Sequence, residues 1–208
     1  MVILLYLTGK LKSYNQWYNK ENARLQSIKD KQKLGKSLTK RQASLLRKRE
    51  NRVRDYLGKT AKMIINYCLK HNIGILIIGK NKGFQQKSNL GKVNNQMFAQ
   101  IPFYKLQQKL EYQCNLYGID MIEQEESYTS KASFWDKDDI PVYGDYKQYS
   151  FSGKRIKRGL YQTSSGILLN ADVNGALNIL RKSNVVALNG LYSRGELNTP
   201  VRIRVIKN

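Results

Sequence analysis

The stretch Leu169-Asn170-Ala171-Asp172-Val173-Asn174-Gly175-Ala176-Leu177-Asn178-Ile179-Leu180 carries the most specific local pattern in this 208-residue chain. A strand-like Ile167–Leu169 runs into a helix predicted over Ala171–Lys182, and Asn170 is placed to cap the helix's free N–H groups. Asp172 then stands in the first turn, where the helix dipole favours a carboxylate. Taken alone, this is the pattern of an ordinary capped helix start. An acid in a first turn needs no catalytic role to explain it.

Working back from that helix, strands and helices alternate. Val2–Leu7 reads as a buried strand ending at Thr8-Gly9. No proline interrupts Ser13–Lys70, which is predicted to be a long basic helical segment (13–70). From Arg41 onward, Leu46, Val53, Leu57, Ala61, Ile64 and Cys68 recur at spacings that place them on one helical face. Ile73–Ile78 reads as a central strand buried on both faces. A helix over Phe98–Tyr117, with Phe103, Leu106, Leu110 and Cys114 on one side, ends at Gly118, and Ile119–Ile122 forms the next strand. This order predicts an α/β fold with a mixed sheet and long helices, its later strands paired in parallel. In such sheets, sites collect at the carboxyl ends of strands, here Gly79-Lys80-Asn81 and Glu125-Glu126-Ser127. Residues 1–182 form the expected core, with a loop-rich insertion at 128–165. The tail 183–208 carries no assignable chemistry.

Charge narrows the partner. Lys and Arg number 37 against 15 Asp and Glu, giving a net charge of +22 and a pI near 10.0, which points to a polyanion. Within 13–70 the only acids are Glu21, Asp30, Glu50 and Asp55. That imbalance favours nucleic-acid contact over simple solvation, with Arg49 and Arg52 among the candidate contacts. A membrane surface is the competing polyanion. Val2–Leu7 and Ile73–Ile78 are too short to span a bilayer, however, and no basic amphipathic helix has a clean apolar face. The opening MVILLYLTGK lacks the basic n-region and cleavage site of a signal peptide. Cys68 and Cys114 form no CxxC pair, so neither a disulfide framework nor a cysteine zinc site is expected, and a reducing cytoplasm fits.

Two further basic groups stand out. Lys80, Lys82, Lys87 and Lys92 follow a strand in a glycine-bearing segment, but the spacing of Gly83 and Gly91 and the lack of GK[ST] rule out a P-loop. Arg155, Lys157 and Arg158 follow an aromatic-rich run that includes Trp135, Tyr143, Tyr149 and Phe151. Cations interleaved with rings suit phosphates and unpaired bases, although most of those rings are expected to build the insertion's own core. The single histidine, His71, is placed to contact a helix C-terminus.

The run DVNGALNILRK (172–182) closely resembles the DxNAAxNI signature around the last catalytic aspartate of TnpB-type, or OrfB-family, transposon proteins. KSYNQWYNK (12–20), KRENRVRDYLGKT (48–60), IGKNKGFQQ (78–86), NNQMFAQIPFYKL (94–106) and GIDMIEQEESYTSKASF (118–134) resemble one branch of the same family, so the likeness spans Val2 to Lys182. It implies a RuvC-like version of the RNase H fold, related to the nuclease domains of type V CRISPR effectors. It also implies an RNA-guided DNA endonuclease whose clustered carboxylates hold two divalent metals, magnesium or manganese. The implied partners are DNA and a guide RNA from the transposon end.

By that resemblance Asp172 is the last catalytic acid and a metal ligand. The family's first aspartate lies on an opening strand resembling GIDLG, and nothing here replaces it, so the chain is expected to be truncated at its N-terminus. The family's middle glutamate falls where this chain has Gly79. EESYTS ends the neighbouring strand, and adjacent strand residues face opposite ways, so one of Glu125 and Glu126 would face the metals. Glu126, nearer the strand end, is the assigned catalytic and metal-binding residue, with Glu125 as the fallback. The family's zinc-ribbon cysteines are missing, and no zinc is expected. The competing reading is a catalytically inactive nucleic-acid-binding remnant or repressor-like module.

Overall fold

The computed structural model describes residues 5–8, 11–80, 101–145, 148–185, 188 and 201–204. Lys82, Lys87 and Lys92 lie outside the described residues. The chain divides into two units, one of Met1–Leu7, Ile75–Lys82 and Asp120–Ile203, the other of Thr8–Gly74, Gly83–Ile119 and Arg204–Asn208.

The second unit is helical. The expected single segment 13–70 is two helices, α1 (Leu11–Lys31) and α2 (Lys40–Lys70). Between them Lys33 takes a positive φ of 50°, and the buried Lys29 ammonium donates to the Lys36 carbonyl at 3.1 Å. Thr39 then restarts the helix through a capping box: its Oγ1 accepts from the Gln42 N–H at 3.2 Å, and Gln42 Oε1 accepts from the Thr39 N–H at 3.1 Å. Nothing in the sequence breaks 13–70 as a proline would. The turn is made instead by cheap local chemistry, a left-handed residue followed by a strong cap.

Helix α3 (Phe103–Tyr117) packs against α2. Leu11, Val53 and Leu57 form a buried cluster with Tyr56, Ile101 and Leu106 against it, and Ala61, Ile65, Cys68, Leu110 and Cys114 are also buried. Ile65, instead of the expected Ile64, completes the buried stripe, and Phe103 is 42% exposed. Gly118 ends α3 in the left-handed conformation at φ 67°, where a Cβ would be strained, and its N–H returns to the Cys114 carbonyl. Burial raises both thiol pKa values, and the neighbouring Cys68 raises that of Cys114 further. His71 is the C-cap of α2, its ring 4.2 Å from that of Tyr67.

The first unit is built on strands. Strand β2 (Ile75–Lys80) pairs in parallel with β3 (Asp120–Glu125), in register from Ile75 opposite Asp120 to Lys80 opposite Glu125. The parallel pairing is as expected, but β2 is half-buried with exposed ends and not covered on both faces. Strands β4 (Lys154–Lys157), β5 (Leu160–Gln162) and β6 (Leu168–Asn170) form an antiparallel sheet. The last helix among the described residues, α4 (Ala171–Ser183), packs against β2 and β3. Strand β1 (Leu5–Thr8) pairs with β7 (Val201–Arg204), which places a strand in the tail where none was expected. Among the described residues the strands therefore lie in three small sheets, giving a mixed α/β fold. No described helix is long and apolar enough to cross a membrane.

The expected loop-rich insertion, 128–165, is pinned to α4 by two asparagines of the signature stretch. Asn174 accepts from the Phe134 N–H at 3.0 Å and donates to the Ala132 carbonyl at 2.8 Å. Asn178 donates to the carbonyls of Thr129 at 2.9 Å and Ala132 at 2.7 Å. Both asparagines are fully buried, where every satisfied polar atom matters. Two aspartates tie the rest of the insertion together. Asp138 accepts from the Ser133 N–H at 2.7 Å and from the N–H and hydroxyl of Ser152. Asp136 accepts from the N–H and hydroxyl of Ser164. Phe134 joins Val173 and Leu177, Tyr161 joins Leu169 and Ala171, and Trp135 packs against both groups. Gly153 admits the Tyr161 ring, since a Cβ there would lie 2.6 Å from ring atoms and 2.7 Å from the Gln162 carbonyl.

Candidate active site

The carboxyl ends of β2 and β3 are where an α/β ladder gathers polar groups, because the chain leaves the sheet there and frees its side chains. Glu125 is the last residue of β3, opposite Lys80, and the Glu126 N–H reaches the Lys80 carbonyl at 3.3 Å. Alternation then sends the two glutamates in opposite directions.

Glu125 is committed to structure. Its carboxylate pairs with Lys182, whose side chain is only 10% exposed, and accepts from the Ser127 N–H at 2.7 Å. Lys182 also donates to the carbonyls of Pro141 at 2.8 Å and Ser127 at 3.3 Å, so it fastens the end of α4 to two loops. Burial alone would raise the Glu125 pKa, but the bonds from Lys182 and Ser127 outweigh it and hold the carboxyl below its ordinary range.

Glu126 turns toward Gly79. A Cβ built on Gly79 would collide with Glu126 Oε2 and would lie 2.8 Å from Ile179 Cδ1 and 3.2 Å from Glu126 Cδ. The carboxylate of residue 126 thus fills the space that a side chain at 79 would need. Burial raises the Glu126 pKa, and the negative charge of Glu125 adds to the shift. A half-buried acid whose ionised form is disfavoured is a candidate for function.

Asp172 sits in the first turn of α4 below the Asn170 cap, whose Oδ1 accepts from the N–H groups of Asp172 at 2.9 Å and Val173 at 3.1 Å. Its side chain is 61% exposed, and Arg155 of β4 approaches it to 3.6 Å. Arg155, Lys157 and Arg158 are exposed on the β4–β5 hairpin, so one expected phosphate contact stands beside the expected last acid. Lys80 is exposed and pairs with Glu123. Among the described residues, no group of three or more His, Cys, Asp or Glu comes together to hold a metal. Ile179, which shares the Gly79 hollow with Glu126, follows Asp172 by two helical turns, about 10 Å along the axis.

Arg49 and Arg52 belong to the helical unit. Arg49 donates to Asn15 Oδ1 at 3.0 Å and lies 5.1 Å over the Tyr18 ring, while Arg52 lies 4.6 Å over Tyr14. Arg49 also borders a cleft of about 410 Å³ in which Arg54, Lys105 and Lys109 surround an apolar floor that includes Val53 and Leu57. Sequence reasoning missed Lys182, Asn174 and Asn178, although all three lie inside the quoted signature. Asn174 and Asn178 were marked by the two asparagines of the DxNAAxNI pattern, while Lys182 was marked only by its helical spacing from them.

Residues 4–85 match the family OrfB_IS605, described as a probable transposase, and residues 103–179 match the Cas12f1-like TNB domain. The chain is 28% identical over 192 residues to the TnpB-like protein ORF457 of Acidianus two-tailed virus, an alignment covering 89% of this chain and 38% of the relative. Along most of its length the chain is therefore similar to TnpB-type proteins. Its fold is also similar to that seen in the cryo-EM structure of a Cas12f1–sgRNA–target DNA complex. There the TM-score is 0.55 at 20% identity, covering 81% of this chain and 41% of that one. The chain therefore spans about two fifths of the length of each relative.

Proposed function

We propose that this chain is the core of an RNA-guided DNA endonuclease with a RuvC-like, RNase H-type arrangement. In it Glu126 supplies the middle carboxylate and Asp172 the last. The observation that carries the reading is the exchange at Gly79. The family's acid position is vacant in sequence, and a carboxylate from the adjacent strand end lies in the space that position would otherwise fill. The net charge of +22 supports nucleic-acid partners, DNA and a guide RNA from the transposon end, with cytoplasmic action. Exposed Arg155, Lys157 and Arg158, with Lys80, Lys82, Lys87 and Lys92 and with Arg49 and Arg52, are the proposed phosphate contacts.

A divalent metal, magnesium or manganese, would supply water activation and leaving-group stabilisation in such a reaction. The donors fit a hard cation in kind, since both are carboxylate oxygens at element ends. They fall short in number, because among the described residues no three or more His, Cys, Asp or Glu come together to hold a metal. The reading therefore assigns two acids and requires another beyond the described residues. The 128–165 insertion stands where the family's zinc ribbon would be, and the hydrogen bonds of Asp136 and Asp138 take over its structural work.

The test is manganese binding followed by electron paramagnetic resonance. Glu126→Ala and Asp172→Ala should each weaken binding, and Gly79→Glu added to Glu126→Ala should restore it. Equal manganese affinity of the native chain and Glu126→Ala would falsify the assignment. A second reading, binding without cleavage, is favoured by Arg155, which approaches the last acid, Asp172, to 3.6 Å. It predicts tight nucleic-acid binding that is indifferent to Asp172→Ala.

A further inference from the structure

On α1 the aromatic residues Tyr14, Trp17 and Tyr18 stand at spacings that bring them to the side facing α2. Tyr14 and Trp17 stack with ring centroids 5.4 Å apart and planes inclined by 25°. Arg52 of α2 lies 4.6 Å from the Tyr14 centroid, and Arg49 lies 5.1 Å from that of Tyr18. The arginines and tyrosines lock the two helices together. Trp17 does not finish buried in that lock: it is 49% exposed, although tryptophan gains more than any other side chain from being covered.

The surroundings of Trp17 are cationic. Lys20, one turn further along α1, is exposed, as is Arg52. The nearest acid on the same helix, Glu21, is engaged by Arg24 at 3.0 Å. A flat ring, half open to solvent and held rigid by a stack behind it, with cations alongside, is the composition that binds unpaired bases. The ring meets the base, and the cations meet the phosphates on either side of it. A duplex offers no such face, because its bases are already stacked.

We propose that Trp17, held by Tyr14 beside Arg52, is a stacking site for an unpaired base of a single-stranded nucleic acid. The proposal rests on the nucleic-acid part of the function proposed above and uses neither Asp172 nor Glu126. It places a single-strand contact on the helical unit.

The experiment measures binding of the full chain, in EDTA, to three fluorescent probes: a mixed-sequence single strand, an abasic strand of the same length and charge, and a duplex of that length. The proteins are the native chain, Trp17→Ala and Trp17→Phe, with circular dichroism melts run in parallel. Trp17→Ala should bind the single strand about tenfold more weakly. It should bind the abasic strand and the duplex as the native chain does, and the slope of log affinity against log salt should not change. Trp17→Phe should restore most of the lost affinity, since it keeps an aromatic face. Unchanged single-strand binding by Trp17→Ala, or an equal loss on all three probes, overturns the stacking site while leaving the nuclease reading standing. Failure of the native chain to bind any probe overturns both.

Discussion

Asn174→Ala should destabilise the strand unit by about 1.5–3.5 kcal/mol, a figure assembled from the bonds that the side chain makes. Asn174 accepts from the buried Phe134 N–H, and truncation takes that acceptor away at a cost of about 1–3 kcal/mol. The bond to the Ala132 carbonyl is lost as well, about 1 kcal/mol, but that oxygen keeps Asn178. Alanine's better helix propensity returns about half a kcal/mol. Asn178→Ala should orphan the Thr129 carbonyl in the same way, with Ala132 still held by Asn174. Only the double variant strips the Ala132 carbonyl of both donors, so it should exceed the sum of the singles by about 1–3 kcal/mol. Urea titration followed by Trp135 fluorescence in a Trp17→Phe background reads this unit, because Trp135 packs edge-on against Phe134. A shift below about 1 kcal/mol for Asn174→Ala, or strict additivity in the double, would refute the reasoning.

Two pH-linked outcomes follow from the carboxylates. For Asp136, burial alone would raise the pKa, but hydrogen bonds from Ser133 and Ser164 lower it below 3.8. An acid with a depressed folded pKa contributes stability that is present above its unfolded pKa and disappears as pH falls through the folded value. Asp136→Asn should therefore flatten the acid limb of the Trp135-monitored stability curve below about pH 4, without moving the limb above pH 6. Glu126 has the opposite sign. Its raised pKa means that the ionised carboxylate opposes folding, so stability is greatest below 4.5 and declines as pH rises through the folded value. Glu126→Gln should melt higher than the native chain at neutral pH without metal. A lower melting temperature for Glu126→Gln would refute the raised pKa that burial and Glu125 give this acid.

Several elements were legible because local chemistry settles them. Asn170 caps α4, Gly118 closes α3 in the left-handed region, and the Val53–Leu57–Ala61 stripe is buried, each as its spacing requires. The break at residues 32–39 was missed, although Gly35 and the Thr39–Gln42 capping pair mark it in the sequence; the left-handed Lys33 itself carries no such mark. Strand β7 was equally hidden: a four-residue strand depends on its partner, and that pairing is non-local. At the site, alternation separated Glu125 from Glu126, but only the packing reveals Lys182 on one and Gly79 on the other. Asn174 and Asn178 were passed over because polar residues on a helix ordinarily face water. Here they face a turn with main-chain groups to satisfy.

The overlap of Gly79 with the Glu126 carboxylate couples the two positions, which bears on inheritance as well as geometry. A side chain at 79 requires the flexible end of Glu126 to move aside, so an acid gained at 79 would displace the one at 126 from its present place. Related chains should accordingly fall into two camps, acid at 79 with a small or neutral residue at 126, or glycine at 79 with the acid at 126. Any search that judges such proteins by the letter after the second strand would discard the second camp.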